Sequence, residues 1–211
     1  MTDHDPRLDP ADVTVVCAMG VEARPVRRRA PGLHLVLAGI GLASLDRSEL
    51  TTGVVFSVGL AGGLAPELAS GTVVIPAQTA REDGTLIECD PAWSAALAAA
   101  SRRLGFPTVT LPLLSAEGVV TGSNRARWAA RGFAAVDMET ALLAGMVGRV
   151  AAVRVVMDTP SREISSAWER PARAALDPRN WAQGAWLART APRLSTRAAL
   201  VVAAAIAAEA G

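Results

Sequence analysis

The chain has 211 residues, 51% hydrophobic and 19% charged, and its 21 basic and 20 acidic residues leave a formal net charge of +1. That is too apolar for disorder and rich enough for a sizeable core, and it lacks the basic excess of a protein that grips nucleic acid by its phosphates. Every basic residue is Arg, so Schiff-base chemistry and a P-loop lysine are excluded, and with no Tyr there is no phenol to act as acid or nucleophile. Cys17 and Cys89 fit neither a metal spacing nor a disulfide framework and read as buried thiols. His4 and His34 are the only imidazoles, and neither is placed for a Ser-His-Asp or zinc site.

In chain order, residues 1–12 are acidic, broken by Pro and without an apolar signal segment, and are expected to be disordered. Val13–Ala18 predicts a buried strand, followed by a helix that tolerates Pro25 only in its first turn. Leu33–Ala38 is a second apolar run, and Ser44–Leu50 predicts a helix capped by Ser44. Val54–Val58 predicts a strand running into a Gly-rich loop, residues 59–66. A strand at Gly71–Ile75 and a hairpin around Glu82-Asp83-Gly84 follow, then a helix over Pro91–Leu104 with Asp90 as its cap. Strands are expected at Val109–Leu114, Ala134–Val136 and Ala152–Met157, with a helix over Met138–Val147. Residues 159–180, rich in Pro, Ser and Arg, predict a long loop before a C-terminal helix over residues 181–209.

Strands alternating with helices predict one α/β domain over residues 1–211, three-layered around a largely parallel sheet. The longest apolar stretch, Ala198–Ala208, falls short of the ~20 residues that cross a bilayer, so a soluble cytoplasmic protein is expected.

Ligands of such sheets bind where loops leave the carboxyl ends of strands. Glu22, Glu139 and Asp158 all stand at or just past such ends, beside the Gly-rich loop. One Glu opening a helix is ordinarily a partner of the helix dipole; three carboxylates converging on one end of the sheet are less easily explained so. The glycines Gly59-x-x-Gly62-Gly63 do not form a dinucleotide fingerprint.

Four strings in this order, Ala18-Met19 with Glu22, Gly59–Pro66 with Gly71, Val136-Asp137-Met138-Glu139, and Val153-Arg154 leading to Asp158, resemble the purine and uridine phosphorylase superfamily over residues 13–158. The resemblance is strongest to its nucleosidase branch, which acts on methylthioadenosine, adenosylhomocysteine or futalosine. Within it the small size, and a tail in which Leu176-Asp177-Pro178 precedes Trp181 and then Leu187–Ala199, resemble the nucleosidase/phosphorylase of hopanoid biosynthesis, which removes adenine from adenosylhopane. It implies an α/β/α fold with a mixed, twisted sheet, and cleavage of the N-glycosidic bond of a 5′-substituted purine nucleoside. No cofactor is implied, with phosphate as the alternative to water as co-substrate. Asp158 then matches the general acid and Glu22 the residue that activates water. Glu139 matches the carboxylate that binds the ribose hydroxyls, and Met138 the residue that packs on the ribose. Ala61 and Gly62 line base and sugar through their backbone, with Met19, Val119 and Val120 completing the site. A homodimer or larger homo-oligomer is implied, and membrane contact would follow from a hopanoid substrate. An inert nucleoside-binding relative is the alternative of another class, and it leaves the general acid and the water-activating base, Asp158 and Glu22, without a use together.

The departures are as informative. Leu60 stands where relatives commonly carry Ser or Thr, which favours water over phosphate. Val119 and Val120 stand where adenine-specific relatives often place a stacking aromatic. Arg24 and Arg27, just after the first strand, are either surface residues or contacts for an anion. Trp168, Trp181 and Trp186 with Leu187 and Leu194 make the C-terminal region apolar, either as core or as a path for a lipid-like substituent.

Overall fold

The computed structural model describes residues 12–50 and 53–209. Among them ten strands join in one mixed sheet built around β3 (Val54–Gly63). On one edge β3 pairs in parallel with β10 (Val150–Asp158). On the other it pairs first with β1 (Val13–Cys17), in parallel, and then with β9 (Ala135–Asp137), antiparallel. Beyond β1 lies β2 (His34–Leu37), and beyond β10 lie β4 (Val73–Val74) and β7 (Thr108–Val109). Beyond β9 come β8 (Leu113–Ser115), β5 (Gln78–Arg81) and β6 (Leu86–Glu88).

The apolar runs are continuous because both faces of the sheet are covered. Val54, Phe56, Val58 and Leu60 of β3 point into one core with Ala151, Val153 and Val155 of β10, while Val55 points into another with Val16 and Leu143. Helices α1 (Gly20–Arg29), α2 (Pro91–Arg103) and α6 (Trp181–Glu209) close the first face. The short α4 (Thr140–Ala144) packs on the second, which makes three layers. Asp90 caps α2 as expected, its carboxylate accepting the Trp93 N–H at 2.9 Å.

Two features of the sheet create an opening. The ladder to β1 ends at Ser57 and that to β9 begins at Gly62, so Val58–Ala61 face a gap along that edge. In β10 the register to β3 shifts between Val156 and Asp158. This bulge turns Met157 and Asp158, which a regular pleat would send to opposite faces, toward one cavity.

Several expectations are corrected. Pro25 lies in the middle of α1, not its first turn; the lost hydrogen bond to Val21 is tolerated where Ala23, Pro25 and Val26 are buried and α1 packs on α6. Over residues 44–50 only a 3-10 turn, Arg47–Glu49, forms, and Asp46 rather than Ser44 caps it. The Gly-rich segment is strand as far as Gly63, since β10 runs alongside it. The expected strand at 109–114 divides into β7 and β8, which belong to opposite wings of the sheet. The helix expected over 138–147 shortens to α4, and β10 begins at Val150 and includes Asp158. A helix α3 (Ser123–Ala129) was not expected. The segment 159–180 is not a plain loop: it carries α5 (Pro171–Leu176) and 3-10 turns at Ser166–Glu169 and Pro178–Asn180. The expected disorder of residues 1–12 lies, but for Asp12, outside the described residues.

The C-terminal helix agrees with its expected range. With the turn before it, Pro178–Glu209 is long and apolar enough to cross a membrane by length and composition. Its Leu194, Ala198, Val201, Val202 and Ala205 are nonetheless buried in the main core, as in a core helix. Trp186 and Leu187 also pack there, whereas Trp181 is exposed, its indole N–H donated to the Ala175 carbonyl at 3.1 Å.

Candidate active site

One cavity of about 150 Å³ opens at the gap in the sheet. Glu22, Glu139 and Asp158 all line it. So do Met19 and Met138, the β3 residues Ala61 and Gly62, and Val119 and Val120. Every site residue expected from the sequence therefore meets at one place. Arg24 and Arg27 do not: both are exposed on α1, away from the cavity lining.

Glu22 is fixed from two sides. It sits in the first turn of α1 and reaches back to accept the Met19 N–H at 2.9 Å. Its other oxygen accepts the Leu60 N–H at 2.8 Å, a donor that β3 leaves free where it faces the gap. Burial pushes its carboxyl above the usual range, against the opposing pull of Arg154 and these N–H donors. Gly59 makes room for it: a Cβ there would collide with Glu22 Oε1 and lie 2.7 Å from the Arg154 guanidinium.

Glu139 stands at the start of α4 and accepts the Gly41 N–H at 3.0 Å. Behind it lies a buried polar cluster. Arg154 of β10 donates to Ser57 Oγ at 2.6 Å and pairs with Asp137 at 2.7 Å and Glu139 at 3.4 Å. Asp137 also accepts from the Thr140 N–H at 3.1 Å and from the hydroxyls of Thr140 and Ser115. Burial alone would lower the pKa of Arg154, but Asp137, Glu139 and Glu22 hold it above its ordinary value and keep it charged. One buried cation thus faces three carboxyl groups. Burial, partly offset by Arg154 and reinforced by Asp137, raises Glu139 to about 7.

Asp158 ends β10 opposite Gly62. It forms a buried ion pair with Arg125 of α3 and accepts the Ile164 N–H at 3.3 Å. Burial raises its carboxyl above the usual range, while Arg125 draws it back. Glu22 anchors at Leu60 and Asp158 lies beside Gly62, two residues on along one strand or roughly 7 Å. A ligand spanning that interval meets a hydrogen-bonding carboxyl at either end.

Sequence reasoning did not single out Arg125, Asp137 or Arg154. Asp137 and Arg154 lay inside the strings quoted above and were passed over as site residues; Arg125 carried no signal, since nothing in the chain shows that α3 turns it inward. Ile40 and Ile164, which also line the cavity, sit in segments that read as ordinary loop.

The family model of the phosphorylase superfamily matches residues 33–177. The chain belongs to this superfamily. Solved structures of similar fold include the 5′-methylthioadenosine/S-adenosylhomocysteine nucleosidase of Neisseria meningitidis in complex with methylthio-immucillin-A. It has a TM-score of 0.74 at 19% identity, over 93% of this chain and 98% of that one. The futalosine hydrolase of Helicobacter pylori gives 0.72 at 13% identity, over 94% and 98%. No curated protein sequence matches the chain. At these identities the likeness establishes the fold.

Proposed function

We propose that the chain hydrolyses the N-glycosidic bond of a 5′-substituted purine nucleoside. The observation that carries this reading is the convergence of Glu22, Glu139 and Asp158 on one cavity. Such bonds break through a transition state with positive charge on the sugar and negative charge on the departing base. A carboxylic acid raised by burial can give a proton to the base nitrogen N7, which is the role of Asp158. Glu139 accepts the two ribose hydroxyls, with Met138 packed against the sugar and Ala61 and Gly62 presenting backbone. Glu22 takes a proton from water as its oxygen bonds to the anomeric carbon and the bond to the base breaks. The proton on Glu22 then leaves to solvent while Asp158 regains one. The acidic cluster around Arg154 favours the sugar cation, since its one positive charge is already shared among carboxylates.

Water rather than phosphate is supported by the same charges. Phosphate beside Glu22 and Glu139 would need an unpaired cation, and Arg154 is paired with Asp137 and Glu139 and Arg125 with Asp158, while Arg24 and Arg27 are elsewhere. Leu60 brings no hydroxyl to hold it.

The resemblance adds adenosylhopane as the particular substrate. Met19, Ile40 and Met138 in the cavity lining support an apolar 5′ group, whereas the base has only Val119 and Val120 beside it and no aromatic ring. The test is release of free base from adenosine, inosine, methylthioadenosine, adenosylhomocysteine, futalosine and adenosylhopane, each with and without phosphate. Release without phosphate is expected; a strict phosphate requirement, with a sugar 1-phosphate as product, would replace hydrolysis by phosphorolysis. No release from any of them would favour a binding protein.

A further inference from the structure

Asp158 does not stand alone at its end of the cavity. The Arg125 guanidinium is 2% exposed and lines the cavity beside it. Its Nε donates to the Val120 carbonyl at 2.9 Å, one terminal nitrogen to the Gly63 carbonyl at 2.8 Å, and the other to Asp158 Oδ2. Glu163 lies 3.4 Å from Nε. These bonds engage three of the five N–H groups a guanidinium carries, leaving one on each terminal nitrogen.

The geometry at Gly62 shows where this pair points. A Cβ on Gly62 would lie 3.2 Å from Asp158 Oδ1 and 3.3 Å from the Arg125 nitrogen bonded to Asp158. The other carboxyl oxygen and the guanidinium therefore both lie at the glycine surface, where Gly62 itself lines the cavity. Oδ2 is already taken by Arg125 and the Ile164 N–H. It has no lone pair left to accept from an amino group on a base.

Resting on the nucleoside-cleaving reading above, but replacing the adenine base that the resemblance to adenosylhopane nucleosidases brings with it, we propose that Arg125 selects a 6-oxopurine as the leaving base. Along the edge beside N7, a 6-oxopurine presents two acceptors, N7 and O6, whereas adenine presents the N7 acceptor and an amino donor. A proton from Asp158 Oδ1 to N7 and an Arg125 N–H to O6 match the first edge. Against adenine the guanidinium would face the amino group, donor against donor, with no acceptor to relieve it. As the glycosidic bond breaks, negative charge spreads over N7 and O6, and a fixed cation at O6 favours that departure.

The test compares substrates that differ only at C6. Wild-type protein should release base from 5′-methylthioinosine at a kcat/KM roughly 10–100-fold above that for 5′-methylthioadenosine, the discrimination typical of a well-placed paired contact. Arg125→Gln, whose amide can donate or accept, should bring the two values together, with a melting curve checking that it folds. Calorimetry with free hypoxanthine and free adenine reads the same preference without turnover. Equal or tighter binding of adenine, or a kcat/KM as high for the adenine nucleoside, would overturn the inference and leave hydrolysis standing. Tighter binding of hypoxanthine with no base released from either nucleoside would instead sink the hydrolytic reading and keep the inference.

Discussion

The Leu60 N–H is donated to the Glu22 carboxylate at 2.8 Å, at the point where β3 has left β1 and has not yet met β9. A side chain on a helix thus takes the place of a neighbouring strand. The sheet can part there without leaving a buried donor unpaired, and the carboxylate that fills the gap is aimed at whatever enters it.

Glu22→Gln keeps an oxygen for the Leu60 N–H and removes the base. Turnover should fall by about two to four powers of ten, the range for a lost general base, with the melting temperature little changed. Base release and thermal unfolding measured on one preparation check this. Near-wild-type turnover would take Glu22 out of the water-activating role.

Asp158→Asn should lower turnover by about two powers of ten or more, because an amide cannot pass a proton to N7. Substrates with better leaving groups, which need no proton, should suffer much less. A uniform loss over good and poor leaving groups would contradict the acid role.

Glu139 ionises near pH 7, and only as a carboxylate does it accept from both ribose hydroxyls. KM should therefore fall as pH rises through about 7, and that limb should vanish in Glu139→Gln. Stability moves the other way. Burial raises the folded pKa above the ordinary 4.5, so the unfolded chain ionises first. The contribution of this group to stability is then complete below about pH 4.5 and lost as pH rises through 7. Wild type should lose melting temperature relative to Glu139→Gln between pH 5 and 8 (roughly the span of that titration); parallel curves would refute the assignment.

Gly59→Ala places a methyl against Glu22 and Arg154 and should destabilise the protein by about 1–3 kcal/mol, with loss of activity as Glu22 is displaced. Gly20→Ala, with nothing within 4 Å of the new carbon, is the control and should be nearly silent. Equal effects of the two would show that the packing around Gly59 is slack.

The strands were legible because burial on both faces writes a strand as an unbroken apolar run, as in Val54–Val58 and Ala152–Met157. Segments without such a signal were misread. The Gly-rich segment 59–63 looks like a loop, yet it forms strand, and the missing side chains of Gly59 and Gly62 leave room for Glu22, Asp158 and the arginines. Pro25 reads as a helix start, and only its packing beneath α6 explains its place mid-helix. Helix α3 has seven residues, too few for a periodic pattern to stand out.

By itself the sequence determined the layered α/β architecture and the three carboxylates at strand ends, because periodicity and strand-end position are local properties of a chain. It could not determine the electrostatic setting of those carboxylates. Arg24 and Arg125 are the same residue type in similarly polar helices, yet one is in solvent and the other is buried against Asp158. What separates them is how far each side chain is removed from water and which charge meets it there, and contacts between residues 33 apart in the chain decide that.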